Sequence, residues 1–345
     1  MSDMQPSKDV QRLTISVVMP AFNASAFLPK VLPPLLDMLA EGEVDEVIVV
    51  DDCSTDDTAA RAREMGTQIL STNRKSGPGA ARNLAAERAR GDILWFVDSD
   101  VIVGKGGAAI IRDSFADSNV DAVFGSYDKS PDGQPWLSRY KNLAHHYYHQ
   151  AARREASTFW AGCGAIRAEV FRKLGGFDVE IYRKPSIEDI ELGYRIRRAG
   201  GRIRLLPELQ GKHLKVWTLK NVIHTDIFRR ALPWSRLMIA REGLIDDLNT
   251  SMAERARAVI AGLTILSILA LPLAPSYWPV SALLLAGVFA VNWRFFRFLH
   301  RNGSTGFAIA SLLYHQLYYV YSSVAFAWCL FEYHVLGIRD RLHVR

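Results

Sequence analysis

Two short apolar runs, each ending in a knot of acids, most constrain what this chain can fold into. The first is Val47-Ile48-Val49-Val50, leading into Asp51-Asp52-Cys53-Ser54-Thr55-Asp56. The second is Ile93-Leu94-Trp95-Phe96-Val97, leading into Asp98-Ser99-Asp100. Runs this apolar and this rich in β-branched and aromatic types read as strands buried on both faces, hence as a parallel sheet. Open α/β sheets bind ligands at the carboxyl ends of their strands, where these acids stand. A D-x-D there suits a divalent cation bridging to a diphosphate. Hard carboxylate oxygens match Mg²⁺ or Mn²⁺, and phosphate fills the remaining positions. A nucleotide diphosphate held through a metal is the expected ligand.

The surrounding pattern agrees. Strand signals at 15–19, 46–50, 68–70, 93–97 and 122–125 alternate with helix signals at 25–40, 56–65, 80–90 and 106–117. That rhythm predicts the α/β class with a doubly wound, mostly parallel sheet. Asp56 and Asp57 read as the first turn of the 56–65 helix, and Ser76-Gly77-Pro78-Gly79 opens the helix that follows. Further on, 136–156 reads as a polar, aromatic helix, and 158–167 as a strand interrupted by Gly162-Cys163-Gly164. Residues 188–199 read as an amphipathic helix closed by Gly200-Gly201.

The last third differs in kind. The chain has 345 residues, 49% of them hydrophobic, enough for one large domain and an appendage. Cys53, Cys163 and Cys329 are scattered, so neither a zinc site nor a disulfide framework is indicated and a reducing compartment is the default. Residues 1–14 lack the apolar core of a secretory signal. The net charge of +6 is not gathered in one run, which speaks against nucleic acid as a partner. Basic residues instead flank the apolar C-terminal third, as anionic headgroups and the positive-inside bias favour. Across 217–247, Lys220, Phe228, Arg229, Arg230, Trp234 and Arg236 mix basic with bulky apolar character, a composition for helices lying in a membrane interface. Residues 258–275 and 276–293 carry no charge and read as a transmembrane hairpin. The stretch 306–331 is a weaker third span, because it holds His315, Gln316 and five tyrosines or tryptophans. Residues 294–301 read as a cytoplasmic loop and 339–345 as a basic tail.

Six motifs in order give the first ~210 residues a family likeness. They are Pro20-Ala21-Phe22-Asn23, Asp51-Asp52-x-Ser54-x-Asp56, Gly77-x-x-x-Ala81-Arg82-Asn83, Asp98-Ser99-Asp100, Gly175-Gly176-Phe177-Asp178 and Glu188-Asp189. In their order and spacing they resemble the family 2 inverting glycosyltransferases, whose fold is called GT-A. Phe22 stands where many members have tyrosine. The resemblance implies that Pro20, Ala21, Phe22, Asn23, Asp51, Asp52, Gly77, Arg82 and Asp98 hold the nucleotide. It implies that Asp98 and Asp100 serve the Mg²⁺ or Mn²⁺, with His213 completing the metal shell or holding phosphate. It also implies that Asp189 is the general base, with Glu188 beside it. An inverting displacement needs a carboxylate to take the acceptor proton opposite the departing diphosphate, and the metal neutralises the leaving group.

Plainer structural readings stand beside these. Asp51 and Asp52 also suit helix capping, Asp98 and Asp100 a solvated turn, and Arg82 an ion pair with Asp98. Glu188 and Asp189 suit any helix N-terminus, and His213 a surface position. His145 and His149 stand at i, i+4 spacing, which can bind metal. No carboxylate or cysteine accompanies them, so their helix is expected to face an acceptor or an interface. Gly162 and Gly164 are expected where backbone approaches a sugar closely, with Cys163 a packing residue. Arg229, Arg230 and Trp234 suit a lipid phosphate or interfacial snorkelling.

The expected domains are a GT-A-like catalytic domain over 1–212, amphipathic interfacial helices over 213–254, and a membrane region over 255–345 with two or three transmembrane helices. The expected activity is a membrane-bound, metal-dependent, inverting hexosyl transfer. It moves sugar from a nucleotide-diphosphate sugar to a lipid-linked or glycolipid acceptor, in cell-envelope polysaccharide or glycolipid synthesis. The catalytic domain is expected on the cytoplasmic side of a multi-pass inner-membrane protein. A polyprenyl-phosphate sugar synthase is the alternative enzyme. An inert nucleotide-binding membrane scaffold fits less well, because it has no need of Asp98, Asp100 and Asp189 together. A nucleotidyltransferase lacks support, since no basic triphosphate loop follows the first strand.

Overall fold

The structure, a computed structural model, describes residues 12–130, 135–244, 246–247, 250–339 and 342. The polar start at 1–11, and all of the basic tail except residues 339 and 342, lie outside the described residues.

The two apolar runs flank a third strand in one sheet. β2 (Glu46–Asp51) and β4 (Ile93–Val97) run parallel to β1 (Ile15–Ala21) on either side, and β3 (Gln68–Ser71) lies parallel outside β2. Every residue of β1 and β4 is buried, which is why both read as unbroken apolar runs. Alternate residues serve opposite faces. Val17, Met19 and Trp95 meet α1 (Leu28–Ala40), α2 (Thr58–Glu64) and α4 (Gly107–Phe115) on one side. Val18 and Phe96 meet α3 (Pro78–Arg88), α6 (Ala168–Lys173) and α7 (Glu188–Arg198) on the other.

The sheet is mixed, which corrects the mostly parallel expectation. β8 (Cys163–Arg167) is antiparallel to both β4 and β6 (Ala122–Tyr127). β9 (Ile203–His213) is parallel to β6, while β5 (Val101–Val103) and β7 (Glu155–Ala156) run antiparallel to β9. The order is β3-β2-β1-β4-β8-β6-β9-β5, with β7 also beside β9. Strand direction depends on where the chain re-enters the sheet, which no local apolar pattern reports. Asp56 is also corrected: it precedes α2, accepting the Thr58 N–H at 3.1 Å and the Ser25 N–H at 3.2 Å.

The remaining helices gather on α5 (Trp136–Ala151). α8 (Leu219–His224), opened by a Thr218–Asn221 capping box, runs through π-helical turns at Thr225–Ala231 into α9 (Leu232–Leu237). More π-helical turns follow at Met238–Glu242. Then come α10 (Met252–Ala270), α11 (Trp278–Val291), α12 (Trp293–Arg301) and α13 (Thr305–His334). Tyr140 and Leu143 of α5 share a cluster with Phe295, Leu299 and Leu312. Residues 294–301 are therefore helical and packed, where a loop was expected.

Among the described residues no single helix is long and apolar enough to cross a membrane. One bent pair, Pro275–Val291 with Trp293–Arg301 at 64°, passes together by length and composition. The 14 residues of α11 reach only ~21 Å at ~1.5 Å per residue, short of a ~30 Å hydrocarbon core. α13 has the length, at 30 residues, but carries His315, Gln316 and its tyrosines.

Candidate active site

The loops after β1 and β2 lock together at the carboxyl edge of the sheet. The register places Pro20 beside Val50 and Ala21 beside Asp51. Beyond them Asn23 and Cys53 adopt left-handed φ values of 51° and 57°, strained for residues with a side chain. Asn23 Oδ1 accepts the Thr55 N–H at 2.8 Å, and Ser54 Oγ accepts the Asn23 N–H at 2.9 Å. Asp51 turns one oxygen back to the Ser54 N–H at 3.2 Å. Phe22 is 38% exposed, with the Lys75 ammonium 3.5 Å above its ring. It offers a flat apolar face beside a cation.

Asp52 has a different task from the one the resemblance implies. Its carboxylate accepts the Thr72 hydroxyl at 2.8 Å and the Ser76 and Gly77 N–H groups at 2.8 and 2.7 Å. With its oxygens occupied and its side chain buried, it shapes the 72–77 loop instead of meeting a nucleotide. Gly77 sits at φ 89°, where an added Cβ would lie 2.9 Å from the Arg183 carbonyl oxygen. Asn83 explains why two motifs travel together: it donates to the Phe177 carbonyl at 2.9 Å and accepts the Phe177 N–H at 2.9 Å.

Arg82, reaching up from α3, joins the two acidic motifs. Its guanidinium lies 2.5 Å from Asp98 Oδ1 and 3.6 Å from Glu188 Oε1, with 5% of its side chain exposed. The ion pair with Asp98 is present, and the bridge to Glu188 goes beyond it. Burial pushes the Asp98 carboxyl up, Arg82 opposes this, and nearby Asp100 and Asp189 add to the rise. A turn closed by the Val101 N–H on the Asp98 carbonyl, 3.0 Å, carries Asp100 onward. Asp100 Oδ2 faces His213 Nε2 at 3.6 Å. Burial pushes its carboxyl up, but the hydrogen bond and charge of His213, helped by Lys215, win and hold it below its usual value. β5 pairs Val101 with His213, which fixes this meeting in the sheet.

Glu188 and Asp189 open α7 at the same edge. Glu188 is buried, accepts the Ser186 N–H at 2.8 Å, and is pushed up to about 7 by burial and by the Asp189 charge. Asp189 accepts the Ala161 N–H at 3.1 Å and the Ile190 N–H at 2.9 Å. Burial raises its carboxyl too, tempered by those N–H groups, Arg82 and Arg230. Both adjacent carboxyls hold a proton more tightly than usual, as groups that exchange protons with a substrate do.

Other expectations change. Gly162 and Gly164 make room for protein and not for a sugar: added Cβ atoms would lie 2.5 Å from the Trp160 ring and 2.3 Å from its carbonyl oxygen. Between them Cys163 is the packing residue expected, buried, with its thiol pushed up to about 12 by burial. His146 and His149 face carbonyl oxygens of β6, Tyr127 at 2.7 Å and Gly125 at 2.8 Å, so they anchor α5 to the sheet. Trp234 gives its indole N–H to the Tyr194 hydroxyl at 2.7 Å. Tyr127, which the motifs do not flag, stacks on His213 with centroids 4.3 Å apart and meets His145 at a tilt, 4.2 Å away. Its place at the carboxyl end of a strand was the available signal.

Asp100 and His213 offer a carboxylate and an imidazole across a short gap, with Asp98 one turn away. That donor set fits Mg²⁺ or Mn²⁺ sharing its remaining positions with diphosphate oxygens. Among the described residues no three His, Cys, Asp or Glu side chains form an all-protein cage, so phosphate oxygens would be needed to complete the shell. The glycosyl transferase family 2 model matches residues 16–175. Residues 16–175 are thus similar to the family 2 glycosyltransferases. Over 98 residues it is 43% identical to glucosyl-3-phosphoglycerate synthase of Mycobacterium tuberculosis, a match covering 26% of this chain and 29% of that protein. Over 214 residues it is 27% identical to the pre-mycofactocin glycosyltransferase of the same organism, covering 59% of this chain and 43% of that protein. The chain thus spans less than half the length of these curated relatives. A solved mannosyltransferase from Pyrobaculum calidifontis, in complex with GDP-Man and Mn²⁺, shares the fold with a TM-score of 0.54 at 20% identity. That match covers 92% of this chain and 88% of the other, so the likeness in fold reaches past residues 16–175 into the C-terminal helices.

Proposed function

We propose that this protein is a metal-dependent, inverting glycosyltransferase that moves a hexose from a nucleotide-diphosphate sugar to an acceptor presented at a membrane. The observation that carries this is the Asp98–Arg82–Glu188 bridge, which ties the D-x-D to the Glu188-Asp189 pair at one sheet edge. Phe22, Asn23 and Asp51 form the nucleotide side. Asp100 and His213, with Asp98 beside them, would hold a divalent cation, which would supply charge neutralisation for the departing diphosphate. Asp189 takes the acceptor's hydroxyl proton as its oxygen attacks the anomeric carbon, and Glu188 stands beside it, tied to Arg82. The sugar-transferring names of the curated relatives support the reaction class.

The membrane part of the proposal rests on surface chemistry. Leu273 is 90% and Leu283 74% exposed, and Leu263, Leu266, Leu269, Trp278, Leu313, Leu317 and Val324 join them on helices of the last third. So much apolar surface calls for a lipid or protein covering. α12 carries Arg294, Arg297 and Arg301 and packs on α5, Tyr147 against Phe295 at 4.9 Å. The positive-inside bias favours a sheet domain on the cytoplasmic side of a cell membrane. The proposed division is a catalytic domain over 1–212, interfacial helices over 213–254 and a membrane-attached region over 255–345.

The test is transfer from a panel of nucleotide sugars to extracted membrane lipids, with Mg²⁺ or Mn²⁺ and then with excess chelator. Chelation should abolish turnover and Asp189→Asn should cut it by ~10²–10⁴-fold, while donor binding survives that substitution. Full turnover in chelator, or an undiminished Asp189→Asn variant, would sink the mechanism.

A further inference from the structure

The helix that opens on Glu188 and Asp189 has no side-chain cap of its own. Ile187 stands at the N-cap of α7 and offers no acceptor to its first turn. Ser186, one residue earlier, is held at both of its polar groups. Its N–H goes to Glu188 Oε2 at 2.8 Å, and its hydroxyl goes to the Arg229 carbonyl at 2.8 Å. Arg229 lies in the π-helical turns at Thr225–Ala231, and the sequence explains why a carbonyl inside a helical run is open to a side chain. The α-helical donor to that carbonyl is the N–H four residues on. Pro233 stands there and has none. Short π-helical turns within helices are frequent at functional sites.

The segment 225–237 is fastened on two sides. Toward α7, Trp234 donates to the Tyr194 hydroxyl at 2.7 Å, and Leu237 packs with Ile187 and Tyr194. Toward α13, the Tyr321 hydroxyl donates to Asp226 at 2.8 Å, and Arg236 pairs with Glu332 at 2.9 and 3.1 Å. Asp226 also takes the Lys141 ammonium of α5 at 2.8 and 3.1 Å, with 1% of its side chain exposed. A carboxylate this buried cannot move away from its cation without leaving a desolvated charge behind. Asp226 is therefore the fixed point of the segment. From it the chain runs directly to the Arg229 carbonyl, then through Ser186 to Glu188.

We propose that Asp226 and Ser186 are positioning residues for Asp189, with the segment 225–237 a strut that carries the placement of α5 and α13 to the first turn of α7. This rests on the glycosyltransferase reading above, which makes Asp189 the base. It gives the C-terminal helices a part in turnover that is separate from any acceptor they present.

The experiment uses the full chain and two variants that each delete one hydroxyl, Ser186→Ala and Tyr321→Phe, with Ser186→Thr to restore the first. Substituting Asp226 itself leaves Lys141 unpaired and risks unfolding the chain. Hydrogen exchange over 188–194, where the Glu191 N–H bonds to the Ile187 carbonyl at 2.9 Å, should quicken in both variants while exchange in β4 stays as it was. The expected factor is between about twofold and about tenfold, the scale of one hydrogen bond. Transfer from the same panel of nucleotide sugars should lose kcat by a similar factor at unchanged donor KM, and Ser186→Thr should recover both readings. Ser186 and Tyr321 hydrogen-bond to no common residue among the described residues, so independent effects would multiply in the double variant. A combined loss smaller than that product supports the strut. Unchanged exchange over 188–194 in Tyr321→Phe overturns it, and faster exchange with undiminished kcat overturns the positioning role. No transfer by the unsubstituted chain from any donor removes the glycosyltransferase reading and the positioning role with it, while the exchange result still decides whether the strut exists.

Discussion

The sheet domain and the C-terminal helices are both rich in apolar residues, but they place those residues in opposite ways. In β4 every side chain is buried, and Phe96 lies against Phe171 at 5.4 Å and Phe177 at 5.3 Å. In α10 and α11, Leu266, Leu269 and Leu283 point outward while Glu254, Thr264 and Ser281 are buried. The first region has consumed its apolar surface internally. The second has turned it outside and keeps polar groups between the helices. Tyr148 of α5 donates to Glu254 at 2.9 Å, and Arg236 pairs with Glu332 at 2.9 and 3.1 Å. Polar links between helices and apolar faces around them suit a medium that offers no water to buried groups.

The largest expected effect tests the sheet half of this contrast. Phe96→Ala should cost about 3–5 kcal/mol of stability, because a buried aromatic cluster on both sides of the ring cannot collapse into the space. A loss below about 1 kcal/mol by chemical denaturation would show that this core is loosely packed.

A smaller effect arises at the edge where that core meets the site. Glu188 is pushed up to about 7 from an ordinary 4.5, with burial the first cause and the Asp189 charge the second. A carboxyl raised in the folded state holds its proton more tightly when folded. Its stabilising contribution is therefore present below about 4.5 and is lost as pH rises through about 7. Glu188→Gln should flatten that decline in melting curves taken between the two values. An unchanged decline in the variant would show that Glu188 does not carry it.

The smallest expected change in folding is also the sharpest test of the comparison. Leu283→Glu replaces a side chain that is 74% exposed, so melting of the purified protein should shift by no more than about 0.5 kcal/mol. Flotation with phosphatidylcholine vesicles should nevertheless fall clearly. Strong unfolding would mean that α11 is a core helix and that the two regions do not differ in the way described.

Much of the sheet half was legible from the chain alone. Strands buried on both faces leave unbroken apolar runs, as 47–50 and 93–97 do, and the acids that follow mark their ligand-facing ends. Cys163 as a packing residue and the Arg82–Asp98 pair were open to the same kind of argument. Asp52 was not, because a carboxylate turned inward to Thr72, Ser76 and Gly77 looks in sequence like one turned outward to a ribose. Nor were Gly162 and Gly164, whose missing side chains admit Trp160. Glycine patterns show that something must come close without saying what.

What the sequence by itself determined is the set of short-range choices: apolar runs that must be strands, amphipathic stretches that must be helices, and acids at the turns between them. These follow from periodicity and local backbone preference, which act over a few residues. Only the tertiary structure decided strand direction beyond β4, the meeting of Asp100 with His213 far along the chain, and the Arg82 bridge to Glu188. It also decided that Lys141 and Arg230 share Asp226. Such contacts are set by the way distant segments close upon each other, and charges interact through space, not along the chain.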